Sequence, residues 1–106
     1  METIYFTIAG TRHHHGSEFL KNKDGLIVKL VKEPDNDYDT EAIKVEVPGI
    51  GLIGYVAAGY KTRTDDSYSA GRLYDKFGDV GYGKVLYVLD DGVVCELIQE
   101  INPMAE

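Results

Sequence analysis

Ile43, Val45 and Val47 alternate with Lys44 and Glu46, the period of a half-buried strand. The same logic marks further strands along the chain. Residues 3–9, Thr-Ile-Tyr-Phe-Thr-Ile-Ala, are rich in β-branched and aromatic side chains, and Gly10 ends them. Residues 26–32, Leu-Ile-Val-Lys-Leu-Val-Lys, follow an Asp24-Gly25 tight-turn signal and begin with little polar face, which predicts burial. Pro48-Gly49 turns the chain from the strand at 42–47 into a hairpin partner at 50–56. Gly51 and Gly54 inside that partner predict a bulge or bend. Residues 81–89 form the fifth strand, Asp90-Asp91-Gly92 a hairpin turn, and residues 93–101 the last strand.

Between the strands lie three irregular stretches. Residues 10–16 are a short loop bounded by two glycines, and 17–23 a half-turn leading to Asp24. Residues 33–41 are turn-rich, because Pro34 fixes its own φ and Asn36, Asp37 and Asp39 bond neighbouring backbone groups. Residues 57–69 are the longest, and Ser69 is placed to cap a short helix through about Phe77, with Leu73 and Phe77 on one face and Gly78 as the stop. Six strands, mostly joined by hairpins, with glycine bends and one short helix predict a mainly β protein: a small OB-like or SH3-like barrel. An open sheet of six strands would leave edges and a face that one helix cannot cover.

Composition narrows the class. The 106 residues are expected to form one domain, and 43% hydrophobic residues suffice for a core. No stretch is apolar enough to span a membrane, and the start lacks the basic and apolar regions of a signal peptide. The single cysteine, Cys95, lies in the run Val93-Val94-Cys95 and reads as a small buried hydrophobe. A cytoplasmic protein without a cofactor is the expectation. The formal charge of −7 argues against coating nucleic acid by charge alone, which needs several cation–phosphate contacts. A local site gripping one end of a strand is compatible with it.

Several constellations fail on physical grounds. His13, His14 and His15 are consecutive, whereas tetrahedral zinc needs ligands converging from several directions, so no metal site is expected. Asp35, Asp37, Asp39 and Glu46 imitate the spacing of a calcium loop, but Thr40 stands where its glycine belongs and a strand pattern begins at 42. Gly81-Tyr-Gly-Lys opens a strand, so it reads as a barrel bend and not as a phosphate loop. Asp65-Asp66 reads as a solvated loop. A metal-dependent hydrolase built on these carboxylates and the histidines ranks last, and no catalytic set is readable.

Eight tyrosines with no tryptophan point elsewhere. Tyr5, Tyr74 and Tyr87 fit core or half-buried positions, while Tyr38, Tyr55, Tyr60 and Tyr68 lie in or near loops. Aromatic rings beside Arg12, Lys61 and Arg63 are equipment for holding unstacked bases. Tyr38 between two aspartates, at the mouth of a strand, offers a stacking surface beside a fixed carboxylate.

Gly10-x-Arg12-x-x-x-Gly16, then Glu33-Pro34-x-Asn36-x-Tyr38-Asp39-x-x-Ala42-Ile43-x-Val45, then Ile53-Gly54-Tyr55-Val56, together resemble the HIRAN domain, over about residues 3–100. The domain occurs at the N-terminus of some Swi/Snf-type fork-remodelling helicases and alone in bacteria; this chain looks like the stand-alone form. The resemblance implies a modified OB-like barrel that binds the 3′-hydroxyl end of single-stranded DNA without catalysis. Carried over, Arg12 contacts phosphate, His13 and Tyr38 flank the terminal base, Asp39 accepts a hydrogen bond from the terminal hydroxyl, and Asn36 shapes the pocket. His13 replaces the tyrosine of the helicase-linked form. After Gly54 that form carries histidine and lysines near the phosphates, where this chain reads Tyr55-Val56-Ala57-Ala58, so Tyr55 joins the expected site and Lys61 and Arg63 are the substitute cations. The competing reading is a protein-interaction module that presents an acidic surface and a barrel edge to a basic partner and binds no DNA.

Overall fold

The computed structural model describes residues 3–10, 20–21, 23–58, 67–89 and 92–99. Six strands run β1 (Tyr5–Ala9), β2 (Ile27–Glu33), β3 (Ala42–Val47), β4 (Gly51–Val56), β5 (Val80–Leu89) and β6 (Gly92–Leu97), with helix α1 (Ala70–Tyr74) before β5. They close into a barrel in the order β1-β4-β3-β2-β5-β6, every pair antiparallel. Closure pairs each strand on both sides and so removes the sheet edges that the expected barrel had to avoid. No described helix is long and apolar enough to cross a membrane.

Period-2 alternation fills the barrel. Phe6, Ile8, Val28, Leu30, Ile43, Val45, Ile53, Val85, Val93 and Cys95 turn inward and are essentially inaccessible, joined by Leu20 and by Leu73 from the helix. Cys95 is a free thiol in this core, and burial pushes its pKa up, so it packs as a hydrophobe. The predicted bulge in the β3–β4 hairpin is present. Val45 faces Gly54 and Glu46 faces Leu52, which leaves Ile53 unopposed, and Gly51 takes a φ of 98°. That left-handed backbone suits glycine, which has no Cβ to clash.

Several sequence expectations change. Ile27, at the apolar start of β2 that predicts burial, is 45% exposed. Tyr87, expected in or near the core, is 63% exposed. Gly81, Gly83 and Val85 face inward, and strict alternation would send Tyr87 inward too. A second bulge, with Leu86 unopposed between the Val85–Cys95 and Tyr87–Val94 pairs, flips the phase, so Val88 packs on the core instead. Tyr5 is 41% exposed because Ile4, Phe6 and Ile8 hold the inward phase of β1. The glycines of β5 are not a bend alone: a Cβ on Gly83 would stand 2.6 Å from Phe6 Cζ, and one on Gly81 2.7 Å from Phe77 Cδ2, so these positions admit aromatic rings against the strand.

Helix α1 is shorter than its sequence signal. Ser69 caps it as expected, its hydroxyl accepting the Arg72 N–H at 3.3 Å, but the helix ends at Tyr74 with Asp75, not Gly78, at the C-cap. Phe77 lies beyond the helix, where its carbonyl accepts Lys32 Nζ at 2.7 Å. The Lys32 ammonium lies 4.4 Å from the Tyr74 ring centroid and 4.8 Å from that of Phe77, which ties the end of the helix to β2. The last strand ends at Leu97; Ile98 leaves the β6 ladder and donates its N–H to the Tyr82 carbonyl.

Candidate nucleic-acid interface

The loop of residues 34–41 joins β2 to β3, whose ends are closed by the Glu33–Ala42 pair. Its conformation is written largely by one side chain. Asn36 Oδ1 accepts the N–H of Tyr38 at 2.9 Å and of Asp39 at 3.1 Å, and Asn36 Nδ2 donates to Glu33 Oε1 at 3.1 Å. These contacts define the amide orientation, since only oxygen can face two N–H groups and only nitrogen can face the carboxylate. The Asn36 N–H donates to the Glu33 carbonyl at 3.1 Å. Asp39 continues the pattern: its Oδ1 accepts the Glu41 N–H at 2.8 Å, and its carbonyl accepts the Ala42 N–H at 3.1 Å. Asn and Asp at turns act in this way, by offering the backbone a local acceptor.

The loop therefore holds Tyr38 firmly by its backbone while its ring is 98% exposed. Tyr55, the penultimate residue of β4, stands beside Ala9 on one side and Lys44 on the other. Its pKa is raised above the ordinary 10.0, first by burial, then by hydrogen bonding to the Glu33 side chain and by the Glu33 charge.

Two hollows meet at these rings. One, of about 480 Å³, is lined by Lys32, Glu33, Pro34, Asp35, Asn36, Asp37, Tyr38 and Tyr55. The other, of about 410 Å³, is lined by Asn36, Tyr38, Asp39, Ala42, Tyr55 and Val56. Asn36, Tyr38 and Tyr55 belong to both. The first is acidic and the second mostly apolar with one carboxylate. Their size suits a flat ring of nucleobase dimensions more than an extended macromolecular surface.

Of the residues expected at a site, Asn36, Tyr38, Asp39 and Tyr55 are brought together here. Arg12, His13, Lys61 and Arg63 lie outside the described residues, as do His14, His15, Tyr60, Asp65 and Asp66. Among the described residues, the cations beside the hollows are engaged: Lys32 with Phe77 and Tyr74, and Lys44 with Glu46 at 3.4 Å. Sequence reasoning missed Glu33, Ala42 and Val56. Glu33 carried a local signal, three residues before Asn36 in a turn-rich run, but its second partner, Tyr55, lies across the sheet and has none.

The family model of the HIRAN domain matches residues 1–87. This chain belongs to the HIRAN domain family. The crystal structure of the HIRAN domain of human HLTF has the same fold, with a TM-score of 0.59 and 19% sequence identity, over 90% of this chain and 74% of that one. No curated protein matches the chain significantly. The HIRAN domain is known as a DNA-binding domain and has no known catalytic activity in this form. Among the described residues, a closed six-strand barrel with one short helix is the HIRAN fold.

Proposed function

We propose that this HIRAN domain captures single-stranded DNA at its 3′-hydroxyl end and catalyses no reaction. The observation that carries the reading is Tyr38: an almost fully exposed ring on a loop whose backbone is hydrogen-bonded into place. An exposed ring is no use to the core, and a base stacked on it gains roughly 1–3 kcal/mol. The terminal base stacks on Tyr38 in the apolar hollow that Tyr55 also lines, with His13 as the second planar ring. Asp39 accepts the terminal 3′-hydroxyl through Oδ2, the oxygen not used by the Glu41 N–H. A strand that continues, or ends in phosphate, meets a carboxylate with no donor to offer. Arg12, with Lys61 and Arg63, supplies the phosphate contacts.

The electrostatics make the balance of terms specific. Glu33, Asp35, Asp37 and Asp39 surround the two hollows, and the chain carries a net charge of −7. Stacking and the hydroxyl contact therefore carry more of the affinity than in a basic binder, and the few phosphate contacts give a shallow dependence on salt. The test is fluorescence anisotropy at low salt, with one short labelled strand ending in a free 3′-hydroxyl and one in a 3′-phosphate. Preference for the hydroxyl form is the expected result. Equal binding removes the role of Asp39 and leaves a general grip on single strands. The acidic rim also fits a basic protein partner, the reading that gains if neither strand binds.

A further inference from the structure

Glu33 ends β2 opposite Ala42 on β3, and Lys44, two residues on, stands opposite Tyr55 on β4. Alternation places Glu33, Ala42, Lys44 and Tyr55 on one face of the sheet. Ala42 lies between Glu33 and Tyr55 and is only 7% exposed. Its single methyl group is short enough for the two longer side chains to meet beside it: Glu33 and Tyr55 line the same acidic hollow, and hydrogen bonding to Glu33 is one cause of the raised Tyr55 pKa. The Glu33 carboxylate accepts from Asn36 Nδ2 at 3.1 Å. Asn36 in turn holds the backbone of Tyr38 and Asp39.

We propose that Glu33 is the positioning residue of the single-strand site: one carboxylate clamps the Tyr38 loop, through Asn36, to the Tyr55 ring on β4, and so builds both hollows before a strand arrives. This inference rests on the DNA-binding reading above. Glu33 itself touches no base. Its contribution is preorganisation. A loop already held in its binding form loses less conformational freedom on capture, and that loss is a principal cost of association. Glu33 suits this role because a carboxylate has two oxygens and accepts from two donors at once. The donors lie on separate elements: Asn36 three residues along the chain, Tyr55 on a strand not adjacent to β2.

The experiment uses the full chain with Glu33→Ala and Glu33→Gln, the second keeping an acceptor for Asn36 and a polar group for Tyr55. The clamp is read without DNA, from the NMR titration of the Tyr55 ring, assigned with Tyr55→Phe, and from the Asn36 side-chain amide. Affinity for a short strand with a free 3′-hydroxyl is read by anisotropy. Glu33→Ala is expected to lower the Tyr55 pKa toward its ordinary value, release the Asn36 amide, and weaken binding about tenfold, the effect of one or two hydrogen bonds. Glu33→Gln is expected to recover most of the affinity. An unchanged Tyr55 titration and Asn36 amide in Glu33→Ala overturn the clamp. A released clamp with unchanged affinity overturns its role in binding. Wild-type protein that binds no strand overturns the functional reading itself, and the Tyr55 titration then still decides whether the clamp exists.

Discussion

The Asn36 side-chain oxygen accepts the Tyr38 N–H at 2.9 Å, while the Tyr38 ring is 98% exposed. The backbone of the loop is tied down and its aromatic side chain is presented to solvent. The two residues are therefore separable by mutation, because one acts on the chain and the other on a ligand.

Tyr38→Ala removes a ring that buries almost nothing. Its thermal midpoint is expected to stay with the wild type, as surface substitutions away from packing usually change stability by less than about 0.5 kcal/mol. Affinity for single-stranded DNA is expected to fall by about 1–3 kcal/mol, the stacking of one base. A midpoint measurement paired with anisotropy reads both. Undiminished DNA binding by this variant refutes the site assignment.

Asn36→Ala loses three side-chain hydrogen bonds, one donated and two accepted. The residue is half-buried, so part of each bond is replaced by water, and a loss of about 1–2 kcal/mol is expected. Asn36→Asp keeps the two accepted bonds but sets a second carboxylate against Glu33, and it is expected to be less stable at neutral pH than near pH 4, where carboxyls protonate. Denaturant melts at both values check this. Equal stability at the two values contradicts the assigned amide orientation.

Gly83→Ala is expected to destabilise the fold by about 2–3 kcal/mol, within the range for overpacked cores. The added Cβ would meet Phe6, which is fully buried, and the Glu96 carbonyl at 3.3 Å, so neither neighbour has room to yield. Gly81→Ala meets Phe77, which is only partly buried and is able to swing outward, at the cost of its contact with Lys32. The smaller effect belongs there. Thermal melts order the two variants, with about 4–8 °C expected per kcal/mol for a domain of this size. The reverse order would count against the packing described for β5.

Tyr55 sets an alkaline limit. Its pKa in the fold is raised above 10.0, so between that value and the higher folded one the unfolded chain has released a proton that the native state still holds. The unfolded state binds fewer protons there, and stability falls as pH rises. The contribution is complete below pH 10.0 and is lost as pH rises through the folded pKa. Tyr55→Phe is expected to flatten this part of the profile, measured as the difference between wild-type and variant stability across alkaline pH. Parallel profiles would mean that Tyr55 titrates as an ordinary phenol.

Much of the architecture is local and therefore readable along the chain. Alternation at Ile43, Val45 and Val47 specifies which face of β3 is buried, and Asp24-Gly25, Pro48-Gly49 and the Ser69 cap mark where the chain turns or begins its helix, because each acts on backbone groups a few residues away. The motif from Glu33 to Ala42 likewise carries its own loop, since Asn36 and Asp39 bond their immediate neighbours. The phase of β5 could not be read so. Tyr87 turns outward because a bulge opposite β6 shifts the pairing, and a bulge is a property of two strands together. Gly81 and Gly83 look like flexible punctuation until Phe77 and Phe6 are seen lying against them. The meeting of Glu33 with Tyr55 belongs to the tertiary structure alone. It depends on β3 lying between β2 and β4, and on Ala42 being small at the place where their side chains reach across. Local bonding and periodicity act within a few residues, so the sequence alone determines them. Contacts across a closed barrel depend on register, and register exists only once the strands have paired.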